Sequence, residues 1–285
     1  MTSPGKRSVN KWLLHAVLAV LAVITLIPYL WLIIASLKGQ DDFFSAIFFP
    51  PGDGPLGIGW DKLTLNNYRE LYELGFQKNL INSVFYSATT ALFATLICAA
   101  TGFVLAKHRF RGRNLITLVV LGALIVPPTL LLAPGYELLY DIGLLDTAWG
   151  LLLPLLAPAF GVFLFRQAVI QSVPDELLEA ARIDGCSEWS IFFIVVLPLV
   201  RPMIGAFMLI TFLAMWNNFI SPQIVLQSAE KQPLSVAISQ LRGVYKTDYG
   251  LLTAATVVSV LPVAALFLIL QKQFISGLTS GAVKG

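Results

Sequence analysis

The sequence predicts an all-α fold, a polytopic membrane protein with six transmembrane helices. Apolar residues make up 57% of its 285 residues and charged residues only 12%, with a mean hydropathy of +0.79, values foreign to soluble domains. Six stretches, 12–37, 83–106, 115–134, 148–165, 191–220 and 251–270, are long and apolar enough to span a bilayer. A helix rising about 1.5 Å per residue needs about 20 residues for a hydrocarbon core about 30 Å thick. The runs are continuous rather than alternating, which argues against barrel strands, and only a helix satisfies its own backbone in lipid. Net charge is +3 with the basic residues scattered, so nucleic acid is not an expected partner.

Lys6, Arg7 and Lys11 precede the first stretch as in a signal peptide, but 12–37 is far longer than the apolar core of a cleaved signal and reads as a retained span. The loop over 40–82 holds a Pro/Gly-rich turn, PPGDGPLGIGW, and then LTLNNYRELYELGF, which has the look of a capped surface helix. Its Asp41-Asp42 pair lacks the second acidic cluster that a metal site would need, and no metal is expected. After the second span, KHRFRGR (107–113) carries four basic residues in seven and is expected to be cytoplasmic, whereas GYELLYDIGLLDT (135–147) has three acids and no base and should face outward. With six spans, both termini then fall in the cytoplasm. Pro28 and Pro127-Pro128 are kink candidates in the first and third spans. Cys98 and Cys186 share no metal or redox spacing and are expected as free thiols.

Between the fourth and fifth spans lies a charged island. Residues 174–188 hold five carboxylates and one arginine. Ser172 or Val173 is the expected cap of a helix with Pro174 in its first turn, Asp175 and Glu176 complement the positive end of the dipole, and Gly185 is placed to end it. Ser187 then caps a second helix running into the fifth span, with Pro198 as the expected kink. Interfacial anchoring helices are rich in Lys and Arg, while this one is acidic, which suits a basic protein partner better than anionic lipid. Trp216, Asn217 and Asn218, near the outer end of the fifth span, fit either an interfacial belt or a pathway for sugar hydroxyls.

Ion-coupled carriers keep ionisable groups at membrane depth. Here only His15 and Arg201 fall within the predicted spans, near their cytoplasmic ends, so an ion-coupled secondary solute carrier is the less favoured alternative. The chain has no phosphate-binding loop either: GAVKG at 281–285 lacks the spacing and the hydroxyl. A pump of this composition would need its energy supplied from outside.

EAARIDGCSEWSIFFIVVLPLVRP, at 179–202, resembles the EAA loop of the membrane subunits of bacterial ATP-binding cassette (ABC) importers, in which E-A-A, three residues and G precede an apolar stretch closing on L-P. SLK (36–38), LTLNNY (63–68), INS (81–83), FRG (110–112), GLLDT (143–147), FLFRQ (163–167), WNNF (216–219) and GLTSGAVKG (277–285) extend the resemblance, in order, to the carbohydrate-uptake branch, in the manner of the second membrane subunit of maltose-type importers. Cys186 stands where the loop commonly has alanine.

The resemblance implies the type I importer permease fold over 1–285 as a single transmembrane domain: an N-terminal helix at 12–37, core helices over 83–270, a cytoplasmic coupling loop at 167–190 and a cytoplasmic tail at 271–285. It assigns Glu179, Ala180, Ala181, Asp184 and Gly185 to ATPase coupling, Gly281 and Lys284 to a tail that reaches the ATPase, and the bacterial inner membrane as location. The implied partners are two cytoplasmic ATPase subunits, a homologous second permease, an extracytoplasmic solute-binding protein and membrane lipid. No cofactor and no enzymatic activity are expected.

Overall fold

Backbone groups in so apolar a chain have few partners except one another, and in the computed structural model of the protein most of them pair within helices. The structure describes the backbone of residues 4–242 and 247–282 and the side chains of residues 11–242 and 247–269. The helices are α1 (Pro4–Ser36), α2 (Asn66–Glu73), α3 (Phe76–Lys107), α4 (Arg113–Ala123), α5 (Leu132–Asp141), α6 (Ala148–Leu152), α7 (Ala159–Ser172), α8 (Asp175–Ile183), α9 (Glu188–Ser190), α10 (Leu197–Leu199), α11 (Arg201–Trp216), α12 (Ile220–Val225), α13 (Leu234–Gln240) and α14 (Tyr249–Ala282). A π-helical stretch, Ile191–Val196, joins α9 to α10.

Three helical segments, Lys11–Ser36, Phe76–Lys107 and Tyr249–Ile269, are continuous and could each cross a membrane. The other three predicted spans are bent pairs: 99° between α4 and the segment Pro128–Asp141, 43° between Ala148–Leu155 and α7, and 83° between Glu188–Leu199 and α11. Counting each pair as one span gives six, as the sequence predicts. The 99° bend falls at Pro127-Pro128, where Pro127 is extended and the helical ladder stops. The expected kink at Pro198 is corrected: the chain breaks at Val200, with φ −98° and ψ 13°. Pro198 is the second residue of α10, its missing N–H falling just after the widened π turn. Pro202 is the residue that stops the ladder, since its ring would meet the carbonyl of Pro198 four positions back.

The chain divides into two compact units, residues 1–77 with 238–262 and residues 78–237 with 263–285. In the first, α1 exposes apolar side chains all round, from Trp12 to Leu30, as expected of a span whose solvent is lipid. Past its end the chain is tied down by Asn67, whose amide donates to the carbonyls of Ser36 at 2.7 Å and Lys38 at 2.9 Å. Lys38 is 1% exposed, and its ammonium donates to the carbonyl of Ala46 at 2.6 Å. Nothing in the local pattern marks that lysine as buried.

The second unit is built on α3. A core of Cys98, Phe103, Phe165, Ile191, Val196 and Phe207 joins α3, α7, the π stretch and α11. Lipid offers apolar groups as good a home as another helix does, so close approach must come from small residues. Gly102 brings α3 against α7 so tightly that a Cβ there would lie 2.7 Å from the backbone nitrogen of Arg166. Gly161 does the same from the other side, facing Phe207 and Cys98. Helix α3 starts at Phe76, earlier than the predicted 83, because the polar residues of its first turns have partners. Asn79 and Asn82 donate to the carbonyl of Gln232 at 2.8 and 3.2 Å, Tyr86 donates to that of Lys231 at 3.0 Å, and Ser83 accepts from the amide of Leu234 at 2.7 Å.

Candidate functional site

The charged island folds as a helix, a tight turn and a second helix. The expected cap at Ser172 or Val173 is corrected: Pro174, extended at ψ 143°, is itself the N-cap of α8, with no side chain capping the turn. Asp175 and Glu176 occupy that first turn, where the dipole favours anions. At the other end Gly185 has φ +81°. Its amide donates to Arg182 at 3.1 Å and the amide of Cys186 donates to Ala181 at 3.0 Å, the paired bonds of a Schellman ending. Ser187 then caps α9, its hydroxyl accepting from the amide of Ser190 at 3.2 Å.

One face of α8 is held by the protein. Leu178 is 2% exposed in the core around Phe103 and Phe192, and Ala181 packs at its edge. Lys107, at the end of α3, donates to Asp175 at 2.5 Å. That hydrogen bond, reinforced by the charge of Lys107, holds the Asp175 carboxyl below the usual carboxylate range. Across the turn, Arg182 engages Glu188 with both arms of its fork, at 2.7 and 3.3 Å. The hydrogen bond from Arg182 lowers the pKa of Glu188, against some opposing desolvation. Glu188 also lies 3.3 Å from the Nε2 of His108, whose ring stands edge-on to Phe103 with centroids 5.1 Å apart.

The opposite face is free. Glu179, Ala180 and Asp184 are exposed, and neither Glu179 nor Asp184 makes a hydrogen bond or ion pair among the described residues. Ile183, one turn on from Glu179, is 85% exposed, and Trp189 in α9 is 71% exposed. An unpaired carboxylate with an exposed isoleucine one turn on, on a helix pinned from behind, has the composition of a docking surface. Of the five predicted residues here, Glu179, Ala180 and Asp184 present this surface, Ala181 turns inward and Gly185 makes the turn.

The other predicted site residues lie elsewhere. Trp216 ends α11, is 7% exposed, and stacks on Phe212 with centroids 5.7 Å apart. The amide of Asn217 donates to the carbonyl of Leu213 at 2.8 Å, and that of Asn218 accepts from the backbone of Ser221 at 3.2 Å, so both act as helix-end groups. Gly281 and Lys284 lie beyond Ile269, outside the residues described with their side chains.

Sequence reasoning passed over Asp146. This aspartate, at φ +55°, accepts from the amides of Gln227 and Ser228 at 3.0 and 2.9 Å, the hydroxyl of Ser228 at 2.5 Å and the ammonium of Lys231 at 2.7 Å. The hydrogen bond from Lys231 foremost, then those from Ser228 and Gln227, hold its carboxyl far below the usual range. Its partners are more than eighty residues away, and no local pattern points to them. Among the described residues no group of three or more His, Cys, Asp or Glu side chains could hold a metal ion.

Residues 99–280, which include the whole helix-turn-helix, match the family model of the binding-protein-dependent transport system inner membrane component. The chain is 35% identical to the arabinooligosaccharides transport system permease protein AraQ of Halalkalibacterium halodurans, over 100% of its own length and 99% of the relative's. It is 31% identical to the lactose transport system permease protein LacG of Rhizobium radiobacter, covering 95% of each chain. In fold it is similar to a chain from the crystal structure of a bacterial ABC transporter involved in the import of the acidic polysaccharide alginate, with a TM-score of 0.78, 21% identity and 95% and 98% of the two chains covered. A helical, multi-span chain matched over nearly its whole length by such proteins belongs to the family of binding-protein-dependent transport system inner membrane components, the permeases of ABC importers.

Proposed function

We propose that the protein is the permease of an ATP-driven sugar importer, forming half of a translocation pathway with a homologous permease and coupled through α8 to a cytoplasmic ATPase. The observation that carries the coupling is the face of α8 bearing Glu179. Glu179 there is unpaired, with the exposed Ile183 one turn on, and is backed by a helix face fixed to the rest of the chain. Such a surface suits a cleft with a basic residue for Glu179 and an apolar wall for its neighbours. Orientation follows from charge: the 107–113 segment and α8 lie on the cytoplasmic side, as do both termini, and the tail with Gly281 and Lys284 extends toward the ATPase.

A sugar as cargo is supported by the relatives, whose names specify arabinooligosaccharides, lactose, and melibiose, raffinose and stachyose. A solute-binding protein as donor is supported by the family description and by the similar fold, at a TM-score of 0.56, of a chain from an alginate ABC transporter in complex with an alginate pentasaccharide-bound periplasmic protein. ATP binding in the ATPase pair would draw two coupling helices together and shift the permeases between inward- and outward-facing states.

The test is reconstitution into vesicles with the partner permease and binding protein, with and without the ATPase subunits. Uptake is expected only with ATPase and ATP, and Glu179→Ala is expected to abolish it while leaving stability within about 0.5 kcal/mol of the parent. Uptake driven by an ion gradient without the ATPase would replace this reading with a secondary carrier.

A further inference from the structure

Helix α8 has two routes into the membrane part of its own chain. The covalent route runs through the left-handed turn at Gly185, the three residues of α9, the π stretch Ile191–Val196 and the 83° break at Val200 before α11 begins. The compliant point of this path is the break at Val200, because there the main-chain ladder that stiffens a helix is interrupted, whereas Arg182 and Glu188 bridge the turn and the π stretch is packed in the core. The second route is not covalent. At the first residue of α8, Asp175 is bonded to Lys107, the last residue of α3, whose side chain is only 10% exposed. In its last turn, Arg182 holds Glu188 bidentately, and Glu188 in turn meets His108, one residue past α3. Between the two ties Leu178 is sunk in the core.

The end of α3 that receives these ties is itself braced. Arg113 donates from Nε to the carbonyl of Leu105 at 2.9 Å and from Nη2 to that of Ala106 at 3.1 Å, closing the open carbonyl end of the helix. Phe103, 3% exposed, touches His108 edge-on and lies near-parallel to Phe192 with centroids 6.0 Å apart. Gly102 puts α3 in backbone contact with α7.

From this arrangement we propose that Lys107, Asp175, Arg182, Glu188 and His108 form a strap that makes α8 and the end of α3 one rigid body, so that a displacement of α8 is delivered to the second span directly, while the covalent path to α11 bends at a hinge at Val200. These five are positioning residues. The proposal rests on the reading of α8 as the ATPase-coupling helix, and it adds the span that receives the push and the side chains that pass it on. An exposed ion pair stabilises a fold little, but two pairs at the two ends of one helix, with a buried leucine between, fix its direction as well as its position.

The complete transporter, with ATPase, partner permease and binding protein, carries the test. In a Cys186→Ala background, spin labels at Arg109→Cys and Glu176→Cys report across the strap, and labels at Glu176→Cys and Ile210→Cys report across the hinge. On adding ATP the first distance is expected to stay fixed while the second changes. In Asp175→Asn/Glu188→Gln the ATPase is expected to stay bound and to hydrolyse ATP, while the 109–176 distance becomes mobile and substrate carried per ATP falls several-fold. Asp175→Asn alone is expected to lower the transport ratio in part and the exchange Lys107→Asp/Asp175→Lys to restore it, which a merely local role for either residue would not do. A 109–176 distance that shifts with ATP in the intact strap, or an unchanged transport ratio in the doubly broken one, overturns the proposal. Loss of ATPase binding is the signature of Glu179→Ala, so failure of the docking reading shows in a different measurement from failure of the strap.

Discussion

Two aspartates of this chain carry depressed pKa values for the same chemical reason and with different weight. Asp175 is 73% exposed on its side chain, and its bond to Lys107 gives direction to α8 rather than stability to the fold. Asp146 is 25% exposed and fully engaged, with two backbone amides, a hydroxyl and an ammonium all donating to one carboxylate. Asn tolerates the positive φ of that position nearly as well as Asp, so Asp146→Asn isolates the charge. It is expected to lower stability by about 1–3 kcal/mol at neutral pH, read as a melting shift of purified protein in detergent. The folded pKa lies below the unfolded one, so the contribution of Asp146 is complete above the ordinary carboxylate range. It shrinks as pH falls below about 4 toward the folded value, and variant and parent should converge there. Gly185 is the second residue whose replacement separates causes. Gly185→Ala keeps the chain polar groups but strains a φ of +81°, at a cost of about 1–2 kcal/mol. Gly185→Pro cannot adopt that φ at all and is expected to abolish ATP-dependent uptake while ATPase alone remains active.

Helices rather than residues decide how the membrane part holds together. Gly102→Ala forces a methyl against the main chain of Arg166, and a backbone neighbour cannot swing aside. The expected cost is about 1–3 kcal/mol, seen as loss of monodisperse protein on gel filtration at raised temperature. The sequence made most elements legible because long apolar runs measure transfer into lipid, which is what makes a span. It did not show whether the ladder continues through the run. Prolines mark the neighbourhood of a break without fixing its residue: Pro127-Pro128 sits at one, whereas Pro198 stands two residues before the break that Pro202 enforces at Val200. The docking face of α8 was legible for a related reason, since caps, dipole charges and the closing glycine are all local signals. The strap behind it was not, because Lys107 and Asp175 are 68 residues apart. The stacking of Trp216 on Phe212 was not legible either, since position along a span does not show which neighbour an aromatic ring meets.

At the scale of the molecule, the two cysteines are a built-in test of orientation. Cys186 is exposed in the turn after α8, and Cys98 is fully buried among α3, α7 and Phe207. A membrane-impermeant maleimide is expected to label inside-out vesicles at Cys186 and to leave right-side-out vesicles unlabelled, with Cys98 reacting only after denaturation. Labelling of right-side-out vesicles would invert the topology and remove α8 from the side of the ATPase.

The polar first turns of α3 set a schedule for the making of this protein. Asn79 and Asn82 find their acceptor in Gln232, about 150 residues later in the chain. At synthesis rates of about 5–20 residues per second, the second span is in the bilayer for roughly 8–30 s before that acceptor leaves the ribosome. Through this interval the amides lack the carbonyls they pair with in the folded chain. A chain cut short before residue 229 would therefore hold its second span and still display this open row of donors.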